Sequence, residues 1–240
     1  MADSPIGRPL LGVKTGCNDA FLVAPNAPVE QAMLRPVIRG ERVRQWSLPK
    51  VEERIIWTHD DRGPLKVLPP EAARWLSQWR RELERRSDNR GRSRWWTLFR
   101  TDAAVCANPR VVWSDIGKAP KAFVIPKGND AVPLNTCYVA RCRDEIDAHL
   151  LAVILNSKLA ASWLALLAEP ARGGYLRFMG WTMSLLPLPR DWANARRLLA
   201  PVGMEAARGN CPSEEELLIV VLCAYGLAPA VIAPLIEWCQ

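Results

Sequence analysis

Apolar residues along this chain follow two periods. Short runs of β-branched and apolar residues, bounded by glycine and proline, predict strands at Leu10–Val13, Ala20–Val23, Arg54–Thr58, Arg110–Ser114, Ala122–Ile125 and Thr136–Ala140. Gly117, Pro120, Pro126, Gly128 and Pro133 separate the last three. Trp75, Leu76, Trp79 and Leu83 recur at steps of three and four, which predicts a helix from Pro70 to Ser87 with the proline in its first turn. A wider apolar stripe through Leu150, Leu151, Ile154, Leu155, Leu159, Trp163 and Leu166 predicts a long buried helix from Asp147, as N-cap, to Ala168. Ser213 with Glu216 forms a capping box, Gly226 stops the apolar helix that follows, and Pro234 bends or shortens the last one.

These elements predict an α+β fold with a mixed β-sheet, a long buried helix and a helical C-terminal appendage. The expected division is a domain over residues 1–200 and an appendage over 201–240, with the boundary in the stretch Leu199 to Gly209. Hydrophobic residues make up 49% of the 240, enough for a buried core. There is no internal repeat, no secretory signal and no apolar run long enough to span a bilayer, so no membrane partner is expected.

Charge narrows the partners. The net charge is +7, and arginine dominates the excess. A planar guanidinium suits phosphate and guanine, although a high-GC genome, which encodes arginine and alanine often, gives the same composition. Eleven tryptophans supply stacking surfaces as well as core volume. The seven cysteines have neither paired nor metal-ligand spacing, so reduced thiols in a cytoplasmic protein and no metal are expected.

Candidate binding residues cluster in four places. Gly12-Val13-Lys14-Thr15-Gly16-Cys17-Asn18 is a polar, cationic glycine turn between apolar runs, and Lys14, Thr15 and Asn18 offer donors to DNA. The alternative is a turn whose side chains cap their own backbone. It lacks the spacing of a P-loop. Arg39, Arg42 and Arg44, beside Trp46, form a basic loop suited to phosphates or simply to solvent. Arg90, Arg92 and Arg94 precede Trp95-Trp96 in a loop suited to groove insertion. Arg172 and Tyr175 flank Gly173-Gly174, either a helix-terminating hinge or a close approach to DNA with Tyr175 stacking. His59, beside Asp60-Asp61, reads as part of a polar turn, and His149 as a buried side chain. Asn156-Ser157-Lys158 reads as a packing element, with Lys158 within reach of a phosphate. No nucleophile–base pair is visible, so no catalytic residue is assigned.

The segments Gly12 to Phe21, Leu34 to Gly40, Val43 to Trp46, Pro109 to Trp113, Asn135 to Val139, Leu151 to Leu159 and Leu185 to Pro189 occur in an order that resembles the C-terminal target-recognition domain of TaqI-like and Eco57I-like adenine-specific DNA methyltransferases. The resemblance implies a module that reads double-stranded DNA for a methyltransferase or restriction-modification enzyme in phage defence. Such enzymes hold S-adenosylmethionine on a glycine-containing loop of a catalytic domain and the target base at an Asn/Asp-Pro-Pro-Tyr/Phe motif. No such tetrapeptide occurs here; Asn108-Pro109-Arg110 lacks the second proline and the aromatic ring. The methyl donor is therefore expected in a catalytic partner, not in this chain. A protein-interaction subunit of a defence system, or an inactive remnant of a methyltransferase, is the alternative.

Overall fold

The computed structural model describes residues 6–89 and 94–238. In chain order the strands are β1 (Leu10–Leu11), β2 (Leu22–Val23), β3 (Leu34–Ile38), β4 (Arg54–Ile56), β5 (His59–Asp60), β6 (Gly63–Pro64), β7 (Arg110–Ser114), β8 (Ile116–Gly117), β9 (Ala122–Ile125), β10 (Val132–Pro133), β11 (Cys137–Arg141), β12 (Glu169–Ala171) and β13 (Tyr175–Arg177). The helices are α1 (Asn18–Phe21), α2 (Pro70–Ser77), α3 (Arg80–Arg85), α4 (Glu145–Leu155), α5 (Lys158–Ala165), α6 (Gly180–Met183), α7 (Trp192–Ala207), α8 (Glu214–Tyr225) and α9 (Pro229–Trp238). The fold is α+β, as the sequence predicts, with its strands divided among small sheets.

The central sheet has the order β1-β11-β7-β9, all antiparallel. Side chains alternate across a strand, and here both faces are covered. Val111, Trp113, Ala122 and Ala140 pack with α4, α7 and α8. Val112, Phe123, Ile125, Cys137 and Val139 face Ile38, Val43, Ala103 and Ala131. Burial on both sides explains why β7 and β9 read as continuous apolar runs. A second sheet, β10-β3-β4-β2, contains the parallel pair β10–β3 and packs with α2 and α3 around Phe21, Ile55, Leu76 and Leu83.

Two sequence expectations change in detail. The helix of residues 70–87 breaks at Gln78–Trp79, which brings Leu76 and Leu83 into one core, and ends at Arg85 because Arg86 turns inward. The long helix from Asp147 is two helices bent by 62°, with Asp144, not Asp147, as N-cap. Its break is at Asn156, whose side-chain oxygen accepts from Ala122 N–H (2.7 Å) and whose amide donates to Ala122 O (2.9 Å), while Ser157 caps α5. Asp147 is instead wholly buried beside Arg196, Arg143 and Trp192 Nε1. The expected division between residues 200 and 201 falls inside α7, whose Leu199 and Ala206 share a core with α4, so α7 ties the C-terminal helices to the sheet.

No single helix among the described residues is long and apolar enough to cross a membrane; α4 and α5 reach that length only as a bent pair.

Candidate nucleic-acid interface

The glycine turn is held by packing. A Cβ on Gly12 would lie 2.0 Å from Leu134 O, and Gly12 N–H donates to Cys137 O at 2.9 Å. Likewise, a Cβ on Gly40 would lie 2.2 Å from Thr136 O, and Gly40 N–H donates to Thr136 Oγ1 at 2.8 Å. Three of the segments that carry the family resemblance thus meet around Leu134–Cys137, where only glycine allows the backbones to approach. Gly16 has φ +70° and abuts Arg86.

Arg86 is buried and donates to the carbonyls of Leu83 (3.0 Å), Thr15 and Trp95 (2.5 Å), between the rings of Phe21 and Phe99. Burial lowers its pKa to about 10. Arg110 is a second buried cation. It donates to the carbonyls of Ala103, Asn129 and Ala131, and burial also takes it to about 10. In the sequence Arg86 opens a polar run that reads as an exposed loop and Arg110 begins a strand; buried on carbonyls, neither is available to an anionic ligand.

The residues of the turn follow the self-capping alternative. Thr15 is buried, its hydroxyl donates to Asn18 Oδ1 (2.6 Å) and accepts from Cys17 N–H (3.2 Å). Lys14 is partly exposed and pairs with Asp88 at 2.5 Å.

Arg39 forms a two-point pair with Glu53 (2.5 and 3.1 Å), and Arg42 pairs with Glu52 (2.8 Å). The Arg39 hydrogen bond holds the Glu53 carboxyl below its ordinary pKa. These ion pairs line a pocket of about 350 Å³ with Lys50. Arg94 donates to Pro64 O (2.9 Å) and Trp96 Nε1 to Leu65 O (3.1 Å), tying these two residues to the end of the β5–β6 hairpin. Arg90 and Arg92 lie outside the described residues. His59 is buried against Trp57 and within 3.3 Å of the Thr58 hydroxyl; Asp60 accepts from Arg62 N–H, as in a polar turn. His149 is partly buried against α7, and burial lowers its pKa. Lys158 pairs with Glu214 at 2.9 Å, joining α5 to α8.

A different constellation opens to solvent. Arg172, Gly173 and Gly174 are the tip of the β12–β13 hairpin, both glycines at positive φ (+77° and +74°), rather than a helix-ending hinge. β13 pairs with β8, bringing the hairpin beside the turn that joins β7 to β9. Between that turn, the 40–44 turn and Tyr175 lies a cleft of about 640 Å³. Arg44, Lys118, Lys121 and Tyr175 line it, together with Glu41, Asp115 and Thr136. Arg44 Nη1 donates to Glu41 O and Val43 O, bracing its own turn. Tyr175 is 43% exposed, and Arg172 is exposed at the hairpin tip. Of the expected residues, the structure brings Arg44 and Tyr175 together and places Arg172 on the same hairpin. Lys118 and Lys121 were missed, because two lysines between Gly117 and Ala122 read only as loop punctuation.

A cavity of about 380 Å³ between the central sheet and α6 is lined by apolar groups such as Trp113, Leu151, Met183 and Leu186. No cluster of three or more metal-ligating side chains occurs among the described residues.

No known protein-family profile matches the chain. It is 25% identical over 208 residues to the type II methyltransferase M.PaeR7I of Pseudomonas aeruginosa, a match that covers 82% of this chain and 34% of that protein. Its structure superimposes on the type IIL restriction-modification enzyme MmeI, solved in complex with DNA, with a TM-score of 0.63 and 12% identity, over 98% of this chain and 35% of that one. The two chains share this fold over that part of the enzyme. The chain spans about a third of the length of each of these two proteins.

Proposed function

We propose that this chain is the DNA target-recognition part of a restriction-modification methyltransferase. The cleft between the 40–44 turn, the β7–β9 turn and the β12–β13 hairpin is the observation that carries this reading. Arg44, Lys118 and Lys121 put three positive charges on its lining, and each phosphate they neutralise releases counterions. Tyr175 adds a flat ring for sugar or base contact, and Arg172 extends the positive edge along the hairpin tip. The shared fold with an enzyme solved on DNA and the weak homology to a type II methyltransferase support the same reading.

In the finer form that the sequence resemblance suggests, the enzyme modifies adenine at N6, and S-adenosylmethionine is bound by a catalytic counterpart. This chain's part is then to set register through phosphates and to read base edges, while the counterpart extrudes and methylates the base. The test is duplex binding by the full chain at low salt: micromolar or tighter binding that weakens steeply with salt supports the proposal, and undetectable binding overturns it.

A protein-docking role is favoured by one separate observation. Trp163, Leu166, Trp181 and Leu185 are 36–52% exposed, and Trp163 Nε1 donates to Leu185 O at 3.3 Å, so part of this apolar surface is contiguous.

A further inference from the structure

Asp115 stands out in the cleft. Its backbone is fixed from two sides: its N–H donates to Thr136 O at 3.0 Å, and its carbonyl accepts from Phe178 N–H at 2.8 Å. The next carbonyl, of Ile116, accepts from Ser114 Oγ at 2.9 Å, which closes the turn. The side chain is therefore carried by a rigid β7–β8 corner and not by a loose loop.

Asp115 is partly buried on the cleft lining, which Arg44, Lys118, Lys121, Tyr175 and Glu41 share. It forms no salt bridge among the described residues. Arg177 acts on it through space, and the backbone N–H groups of Asp115 and Ile116 are its local donors. Burial pushes its pKa above the ordinary aspartate value despite those favourable neighbours. A charged group placed there costs stability and repels phosphate, so gripping the backbone is not its chemistry.

Resting on the recognition reading above, we propose that Asp115 is a specificity-determining residue that accepts a hydrogen bond from the N4 amine of a cytosine in the bound duplex. In the major groove cytosine presents a donor alone, which matches an acceptor-only carboxylate. Adenine presents its N7 acceptor beside the amine, and that acceptor repels a carboxylate; guanine and thymine present acceptors only. The surrounding cations hold the phosphates on either side while the carboxylate rejects acceptor edges.

The experiment is selection of the full chain, and of Asp115→Asn, from a randomised duplex pool, with sequencing of the bound fraction and thermal unfolding of both proteins. We expect the wild type to enrich a motif containing a cytosine preferred by about 5- to 150-fold over other bases, the range for one good base contact. Asp115→Asn should lose that preference or shift it toward adenine, because a carboxamide matches N6 and N7 together. Its melting temperature should be unchanged or higher, which separates lost readout from lost folding. If both proteins enrich the same motif, or the wild type binds DNA without enriching any motif, the role of Asp115 is overturned while the DNA-binding reading stands. If the wild type binds no duplex at low salt, both fall.

Discussion

Arg86 occupies the space that a side chain on Gly16 would need: a Cβ there would lie 2.7 Å from Arg86 Cδ. The two residues are 70 apart in sequence, and each explains the other. Gly16 supplies the left-handed backbone, φ +70°, that aims Thr15 O inward, and Arg86 satisfies that carbonyl. The most conspicuous motif of the chain is thus a structural clamp between the N-terminal turn and the end of α3.

Gly16→Ala should therefore destabilise the protein. A left-handed conformation costs a non-glycine residue about 1–2 kcal/mol, and displacing the tethered Arg86 adds to that. A loss of about 2 kcal/mol corresponds to a fall in Tm of about 4–8 °C for a protein of this size. An unchanged Tm in a thermal melt would contradict the clamp.

Asn156 gives a graded test. Asn156→Ala leaves Ala122 N–H unpaired, while Ala122 O keeps the Trp46 N–H at 3.0 Å; one buried orphan costs about 1–3 kcal/mol. Asn156→Asp should be worse, since a carboxylate oxygen then faces Ala122 O where the amide now donates at 2.9 Å. The expected order of melting temperatures is wild type, then Asn156→Ala, then Asn156→Asp. The reverse order of the two variants would show that packing, not pairing, matters at this bend.

Acid should weaken the contact between α4 and α7. Burial opposes the charge on Asp144, but hydrogen bonds from Arg196 and Asp147 N–H, with nearby arginine charges, outweigh it and hold the pKa below the ordinary value. A depressed folded-state pKa means that the folded protein gives up this proton more readily than the unfolded chain. The stability it adds is present above about pH 4, the unfolded aspartate pKa, and is lost as pH falls through the lower folded-state value. Denaturant midpoints measured from pH 6 down to pH 2 should fall less steeply in Asp144→Asn than in the wild type. Identical slopes would remove Asp144 from the acid response.

How much of this was legible in the sequence depends on the range of the forces involved. Strands β7 and β9 were read to the residue, because β-branched runs between prolines and glycines are local signals. The capping box of Ser213 and Glu216 and the left-handed Gly226 were equally local, and both are present. The bend at Asn156 was not visible: the apolar stripe runs straight through it, and the partner, Ala122, lies 34 residues away. The same limit applies to the arginines. Arg39 and Arg42 read as free cations because Glu53 and Glu52 sit on another segment, Arg86 reads as part of an exposed loop, and the burial of Arg110 inside its strand is not visible, because the carbonyl partners of both are distant. The cleft itself is assembled from three separate turns, so only Arg44, Tyr175 and the neighbouring Arg172 were anticipated.

The central claim, that the cleft binds duplex DNA through its cations, is tested most directly by salt titration of binding. The dissociation constant of the full chain for a duplex should be measured across salt concentrations, beside the variant Arg44→Gln/Lys118→Gln/Lys121→Gln, with thermal melts of both. We expect the variant to bind more weakly at low salt and its log–log salt slope to be shallower by about 2–3, close to one for each phosphate contact removed. Equal slopes and equal affinities in two folded proteins would place the DNA, if it binds at all, somewhere other than this cleft.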